Sequence, residues 1–214
     1  MSKHREITIT CPKCKKDHPF VIWESINTSL NPGMKEAVKD RSAFLFKCPS
    51  CGEKNYVNYG FLYHQMEDRI IIQYADSDEE ATTAYQMLMM MFKDMQKDEY
   101  LIRIVRSQNE LREKIAIFDA GLDDRIIEIF KINALAVFFK AHPDSKSVEI
   151  LYFRKDNKNY IEVFTDGEYG GAAEIIDEDY EKICQEYAGK IPDIRKDKPF
   201  INRQWALHTM GLIK

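Results

Sequence analysis

The sequence lacks any long apolar run. Its longest apolar stretch, Ile132 to Phe139, is broken by Asn133 and is far shorter than the ~20 residues that a bilayer-spanning helix needs. Residues 1–10 pass directly into a charged, alternating segment without the apolar core of a secretory signal. These two absences predict a cytoplasmic protein that does not enter the membrane.

Glycine, proline and cysteine are also scarce. The 214 residues include 9 Gly, 7 Pro and 5 Cys, whereas apolar residues make up 44% and charged residues 31%. This composition excludes collagen-like, low-complexity and wholly disordered chains. The sequence contains no P-loop and no G-x-S-x-G, H-E-x-x-H or G-x-G-x-x-G motif. It therefore favours a non-catalytic role, with an enzyme in the C-terminal half as a distant alternative.

Charge is distributed unevenly along the chain. Residues 1–70 hold 11 Lys/Arg and 8 Asp/Glu, and residues 71–214 hold 20 and 27. Phosphate binding needs clustered cations, and the acidic remainder of the chain would repel a polyanion. We therefore expect a protein partner or a second copy of this chain in a homodimer, and we keep nucleic acid as the alternative. The basic residues that would serve that alternative are Lys13, Lys15, Lys16 and Lys54.

The strongest signal is a pair of C-P-x-C units, Cys11–Cys14 and Cys48–Cys51, separated by 33 residues. Each unit predicts a tight turn that directs two sulfurs into one pocket, and two facing turns would make a tetrahedral four-sulfur site. Gly52 can adopt positive φ after the second pair. Lys15 occupies the equivalent place in the first pair, so that turn must tolerate a side chain.

Soft thiolates in this arrangement favour zinc, with iron as the next choice. Disulfides would need an oxidising compartment, and a redox C-x-x-C normally opens a helix, whereas strands are predicted beside both pairs. Four cysteines leave no coordination position for water, so the site is predicted to be structural and closed. His18 could replace a cysteine in a Cys₃His site, but four cysteines already satisfy the metal.

These motifs resemble the CpXC domain family, which carries two C-P-x-C units. The resemblance covers about residues 6–130 and includes Phe61–His64, the isoleucine-rich strand after it, and the segments 107–111 and 121–125. Gln65 departs from the family pattern, which has Asp after the Tyr–His pair. The resemblance implies a zinc ribbon and supplies no reaction.

The periodicity of the sequence changes near residue 76, where strands give way to helices. Ser77 with Glu80, and Ser107 with Glu110, form capping boxes for helices that reach about Gln96 and Gly121. Further predicted helices are 34–41, 124–139, 177–188 and 203–210. The predicted strands are 6–10, 20–26, 43–47, 56–63, 69–75, 100–106, 148–153, 160–165 and 172–176.

The expected fold is α+β. A β-rich zinc-ribbon module should occupy residues 1–75, and residues 76–214 should form helices and a small antiparallel sheet packed on it. The helix from Asp124 is apolar on every side in its last turns, which predicts that those turns are buried.

A few further residues are candidates for function. His64 lies beside the predicted ribbon and could donate a hydrogen bond to a sulfur or form a pH-sensitive contact, although a histidine in a hairpin turn is usually an ordinary surface residue. Asp123, Asp124, Arg125 and Glu128 place carboxylates at a helix start, where capping is the usual role and acid chemistry the alternative. Cys184 has no metal-ligand spacing and is expected to be a small buried apolar residue.

The methionine-rich helix from Ser77 has candidates for an interface. A helical wheel places Ala81, Ala84, Tyr85, Leu88, Met91, Phe92 and Met95 on the core side. Met87 and Met90 then have no core to contact unless another layer covers them. We therefore expect Met87 and Met90 to lie at an interface with a partner or a second copy.

Overall fold

The computed structural model describes residues 2–91 and 100–213. They divide into two compact units, one ending at Gln108 and the other beginning at Asn109. The first unit contains the two cysteine pairs, and the second contains the small antiparallel sheet. The zinc-ribbon module with a boundary after residue 75 stays a prediction.

The first unit is mostly β-structure. Its five-stranded sheet has the order β1-β2-β5-β6-β7, and β3 and β4 form a separate antiparallel pair. Among the described residues of this unit, two helices and one 3₁₀ helix, Ser42–Phe44, accompany the sheets. The bounds are β1 Lys3–Thr10, β2 Asp17–Asn27, α1 Gly33–Lys39, β3 Leu45–Lys47, β4 Lys54–Tyr56, β5 Phe61–Gln65, β6 Ile70–Tyr74, α2 Asp78–Met91 and β7 Leu101–Val105.

The two ends of the long β1–β2 hairpin have different neighbours in the sheet. β2 pairs antiparallel with β1 from Asp17 to Ser25 and parallel with β5 only at Ser25–Asn27. Ten residues of strand at about 3.3 Å each put roughly 33 Å between Asp17 and Asn27. The hairpin end that carries Cys11 and Cys14 is therefore remote from β5.

The interior of the first unit follows from its β-branched and aromatic residues. β6, with the sequence IIIQY, and β7, with LIRIV, are buried at nearly every position, and such residues favour pleated, buried strands. Ser77 caps α2 as predicted, because its Oγ accepts a hydrogen bond from the Glu80 N–H at 3.1 Å. The Glu80 carboxylate accepts from the Asp76 N–H at 2.8 Å, one residue earlier than in a standard capping box.

The second unit combines four helices with an antiparallel meander of order β10-β9-β8. One core joins Ile117 and Ile127 to Ile150, Ile161 and Ile175 of the sheet. A second core packs Ile126, Ile129 and Ile132 against Ile183, Tyr187 and Ala206. The bounds are α3 Gln108–Asp119, α4 Asp124–Ala141, β8 Val148–Lys155, β9 Lys158–Thr165, β10 Glu168–Ile175, α5 Asp177–Tyr187 and α6 Arg203–Thr209.

The α+β class is confirmed, and three local predictions need correction. The predicted strand 56–63 is two strands, because residues 57–60 separate β4 from β5. Tyr85 and Met91 of α2 are exposed and do not lie on the core side, and Phe92, Met95 and the predicted helix end at Gln96 lie outside the described residues. The last turns of α4 are not buried: Val137 and Phe139 are exposed, because this half contacts the sheet core on one side only, through Ala134 and Leu135.

Within residues 2–91 and 100–213, no helix combines the length and the apolar character needed to cross a membrane.

Candidate metal centre

The first cysteine pair lies in the turn between β1 and β2. The Cys11 N–H donates to the Lys16 carbonyl, and the Lys15 N–H donates to the Cys11 carbonyl, both at 2.9 Å. Thr10 Oγ1 donates to Asp17 Oδ1 at 2.6 Å across the base of the turn. Lys15 has φ of 60°, so this turn does accept a side chain in the left-handed conformation.

The second pair lies between β3 and β4 and repeats the same backbone geometry. The Cys48 N–H donates to the Glu53 carbonyl at 2.8 Å, and the Gly52 N–H donates to the Cys48 carbonyl at 2.9 Å. Gly52 has φ of 75°, as its position after the pair predicts. The two C-P-x-C units are therefore equivalent turns, each at the tip of an antiparallel strand pair.

The two turns bring four sulfurs together. The Sγ atoms of Cys11, Cys14, Cys48 and Cys51 all lie within 4.8 Å of one another. The Cys11–Cys51 and Cys14–Cys48 sulfur distances are both 3.6 Å. A tetrahedral ion with metal–sulfur bonds of about 2.3 Å separates its sulfurs by about 3.8 Å, so the cluster fits such an ion.

Apolar residues pack against the inner side of the cysteine cluster. Cys11 and Cys48 are buried with Phe46, and Ile9, Phe20 and Val57 pack against them. Cys14 is half-buried, and Cys51 is exposed. The cluster is therefore anchored in the protein on one side and reachable from solvent on the other.

The thiols have very different proton affinities. The backbone N–H of Cys14, helped by that of Lys13 and by neighbouring sulfurs, lowers the pKa of Cys11 to about 6. For Cys51, the Glu53 N–H favours the thiolate, but desolvation and the three other sulfurs outweigh it and raise the pKa to about 12. Neighbouring thiols thus share protons and cannot all ionise easily. A bound dication would remove this competition, because thiolates rather than thiols are metal ligands.

His18 is the histidine that lies beside the cysteine cluster. Its Nε2 is 3.5 Å from Cys48 Sγ. His64 lies in β5, where it pairs with Asn27 at the far end of β2, and its ring is 5.7 Å from that of Tyr100. Burial lowers the pKa of His64. Sequence reasoning considered His18 only as a ligand and missed its position beside a ligand; its place four residues after Cys14 was the available signal.

The remaining candidates lie elsewhere. Cys184 is a free, half-buried cysteine in α5 that packs beside the second core of the second unit. Met87 and Met90 of α2 are 60% and 78% exposed. The structure thus leaves both methionines uncovered within the described chain, as the wheel predicts, while the interface itself stays a prediction.

The carboxylates at the start of α4 are caps and ion-pair partners. Asp123 is the N-cap, because its Oδ1 accepts from the Arg125 N–H at 2.9 Å. The Arg125 guanidinium contacts Asp123 at 2.7 Å and Asp197 at 3.1 Å. The usual capping role therefore accounts for Asp123.

The second unit also holds a buried ionic network that the sequence analysis did not predict. Lys114 of α3 contacts Asp124 at 2.9 Å and Glu128 at 3.3 Å. Lys131 contacts Glu128 at 3.2 Å and Glu113 at 3.0 Å. The spacing 124, 128, 131 on one helix face was the available signal.

The network also reaches the sheet of the second unit. Glu113 Oε1 accepts from the Tyr152 N–H in β8 at 2.5 Å. Desolvation raises the pKa of Glu113, against the opposing charges of Lys131 and Lys114. The side chains of Lys114 and Asp124 are 1% and 0% exposed. The network is therefore an internal connection between two helices and a strand.

Comparison with known proteins agrees with the motifs. The model of the family described as CpXC protein matches residues 9–131, a stretch that contains all four clustered cysteines and the charged side chains of the ionic network, but not Tyr152. No curated protein and no solved structure gives a significant match to this chain. The family match covers more than half of the sequence, so the chain belongs to the CpXC family.

Proposed function

We propose that this chain binds one zinc ion through Cys11, Cys14, Cys48 and Cys51, and that the metal folds the first unit without taking part in catalysis. The observation that carries this proposal is the closed four-sulfur cluster built from two equivalent turns. Soft sulfur ligands in a tetrahedral set favour zinc over magnesium, calcium or manganese. With four protein ligands, no position is left for a substrate or water.

We further propose that the zinc-stabilised chain acts as a protein-interaction or regulatory module. Met87 and Met90 support this role, because both are exposed on α2 and methionine adapts readily to partner surfaces. Nucleic acid is the alternative partner and has weaker support. Lys13 is engaged by Glu53 at 3.3 Å, and the acidic balance of residues 71–214 opposes a polyanion.

A reducing compartment such as the cytoplasm suits this proposal. Zinc needs its cysteines as thiolates, and oxidising compartments convert neighbouring thiols to disulfides. All four clustered cysteines are free thiols in the structure.

Elemental analysis of the purified protein tests the metal. We expect about one zinc per chain, with Cys51→Ala losing the metal and Cys184→Ala retaining it, because Cys51 belongs to the cluster and Cys184 does not. Stoichiometric iron with its visible absorbance would contradict zinc. A fully folded wild-type protein that binds no metal would contradict the site altogether.

Light scattering and binding assays test the partner. If Met90 lies in a homodimer interface, Met90→Lys shifts the mass toward the monomer, while Met66→Lys, the same change at an exposed turn, does not. A wild-type monomer at high concentration would rule out the homodimer. A submicromolar complex with DNA or RNA at about 0.15 M salt, lost in a Lys13/Lys15/Lys16→Glu variant, would favour the nucleic-acid alternative.

A further inference from the structure

His18 is held in a fixed place beside one of the four clustered sulfurs. It is the second residue of β2 and pairs in register with Ile9 of β1. Its ring centroid lies 6.2 Å from that of Phe46, and Phe46 is buried and makes an edge contact with Phe20 at 6.0 Å. Because Phe46 is two residues before Cys48, the same strand positions both the imidazole and the sulfur.

The distance and the donor set define what His18 can do. Its Nε2 lies 3.5 Å from Cys48 Sγ, which is a hydrogen-bond distance for sulfur. In a metal-loaded cluster all four sulfurs are thiolates, which accept hydrogen bonds and cannot donate them. The ring must then carry its proton on Nε2 and donate it to Cys48.

We infer that His18 is a positioning residue that donates an Nε2–H hydrogen bond to the Cys48 thiolate and so strengthens metal binding. This inference rests on the proposed metal site. Four thiolates and a dication carry a net charge of −2, and a donor to one sulfur withdraws part of that charge. The hydrogen bond also fixes the Cys48 side chain in the orientation that the ion needs. Outer partners of this kind typically change metal affinity by about 10-fold to 100-fold.

Metal binding by the full-length chain, with matched variants, tests this role. His18→Phe keeps an aromatic ring against Phe46 and removes the donor, whereas His18→Gln keeps a side-chain N–H. His4→Phe is the control, since His4 lies in β1 with its ring 5.0 Å from that of Trp23. Each protein is loaded with Zn²⁺ or Co²⁺, and its affinity is measured by competition with a chelator of known affinity.

The expected pattern separates a donor from a merely structural residue. His18→Phe should bind one metal per chain about 10-fold to 100-fold more weakly, and its sulfur-to-cobalt charge-transfer band should move to longer wavelength. His18→Gln should recover much of both properties, and His4→Phe should match wild type. In zinc-loaded wild type, ¹⁵N NMR should show the His18 proton on Nε2, a test that needs no variant to fold.

Other outcomes overturn the inference in distinguishable ways. A wild-type protein that binds no metal removes the proposed site itself. A metal-binding wild type with unchanged affinity and spectrum in His18→Phe, or with the proton on Nδ1, leaves the site and removes the role of His18. Loss of metal in His18→Phe with retention in Cys51→Ser would make His18 a ligand instead of a donor.

Discussion

The two units of this chain each gather ionisable side chains in one place, and they balance those charges in opposite ways. The first unit places four thiols within 4.8 Å of one another. The second unit interleaves three carboxylates with the ammonium groups of Lys114 and Lys131. If all four thiols ionise, the cysteine cluster needs a cation from solution, whereas the lysines of the ionic network are part of the chain itself.

This difference determines what each unit depends on. Like-charged thiolates repel, so the cysteine cluster is stable in its ionised form only with a metal. A buried ion pair is costly to desolvate, and removing one member leaves an uncompensated charge. The first unit should therefore respond to metal supply and the second to single substitutions. The two tryptophans can report on the units separately, because Trp23 is in β2 and Trp205 is in α6.

Metal removal should have the largest effect and should act on the first unit. Metal binding contributes about 10 to 16 kcal/mol in small zinc-finger peptides at pH 7, which is as much as many domains have in total stability. A strong chelator should therefore change the fluorescence of a Trp205→Phe protein, which retains Trp23. The Trp23→Phe protein, which retains Trp205, should change little. Simultaneous loss of both signals would show that the second unit depends on the metal as well.

Lys114→Met should have the next largest effect and should act on the second unit. The substitution leaves Asp124 and Glu128 buried without this ammonium group, which costs about 3 to 5 kcal/mol. The free energy of unfolding, measured by urea titration with the Trp205 signal, checks this value. Lys158→Met is the control, because its pair with Glu174 is exposed to solvent and should contribute little to the free energy of unfolding. Equal losses in the two variants would contradict the importance of burial.

The two units should lose stability at opposite ends of the pH range: the second unit at alkaline pH and the first unit at acid pH. Desolvation lowers the pKa of Lys114, but Asp124, Glu128 and Glu113 outweigh it and raise the pKa above 10.5. The pKa of Lys131 is raised in the same way. The stability that the two protonated lysines contribute is fully present below their unfolded-state pKa, and it is lost as pH rises through their folded-state pKa. The second unit should therefore weaken above about pH 10.5.

Acid should weaken the first unit, because protons compete with the metal for thiolates. The raised pKa of Glu113 does not make the second unit lose stability in acid, because protonating this buried carboxylate removes the cost of keeping its charge away from water. Thermal melting of the two single-tryptophan proteins across pH checks both trends. A Lys114→Met protein should lose stability less steeply at alkaline pH than wild type. An alkaline decline equally steep in that variant would exclude the network as its cause.

The sequence predicted the cysteine cluster better than the ionic network for a physical reason. A C-P-x-C turn is local, so its spacing alone determines where two sulfurs point, and its repetition implied the second half of the site. The network joins α3 to α4 and β8, and Lys114 has no local pattern that names Asp124 or Glu128 as its partners. The same limit explains why the burial of the last turns of α4 was wrongly predicted. An apolar residue such as Val137 is buried only if other elements pack against it, and the local sequence does not show whether they do.

The strand predictions succeeded or failed on similar grounds. β6 was clear because its run of isoleucines is continuous. The division of 56–63 was missed because Tyr56, Tyr59 and Phe61 all favour strands, while the break at residues 57–60 depends on tertiary contacts. One of these contacts is the hydrogen bond from Gln108 Nε2 to the Val57 carbonyl at 3.1 Å.

The smallest expected effect compares the two turns of the cysteine cluster with each other. Both place a residue at positive φ after the cysteine pair, but one uses Lys15 and the other Gly52. A Cβ at Gly52 would meet nothing within 4 Å, so Gly52→Ala costs only backbone strain of about 1 to 2 kcal/mol. A gain of about 0.4 to 1 kcal/mol from the stiffer unfolded chain offsets part of this cost. Lys15→Gly removes the backbone strain and makes the unfolded chain more flexible, and the net result should be a slight stabilisation of the first unit.

The two substitutions should therefore shift the melting temperature of the metal-loaded first unit in opposite directions. The Trp23 signal of the Trp205→Phe protein measures this shift, and the Trp205 signal should not move in either variant. Equivalent turns require opposite signs, because the backbone conformation is the same and only the residue differs. If both substitutions destabilise, Lys15 contributes through its side chain, and the two halves of the cluster are not interchangeable.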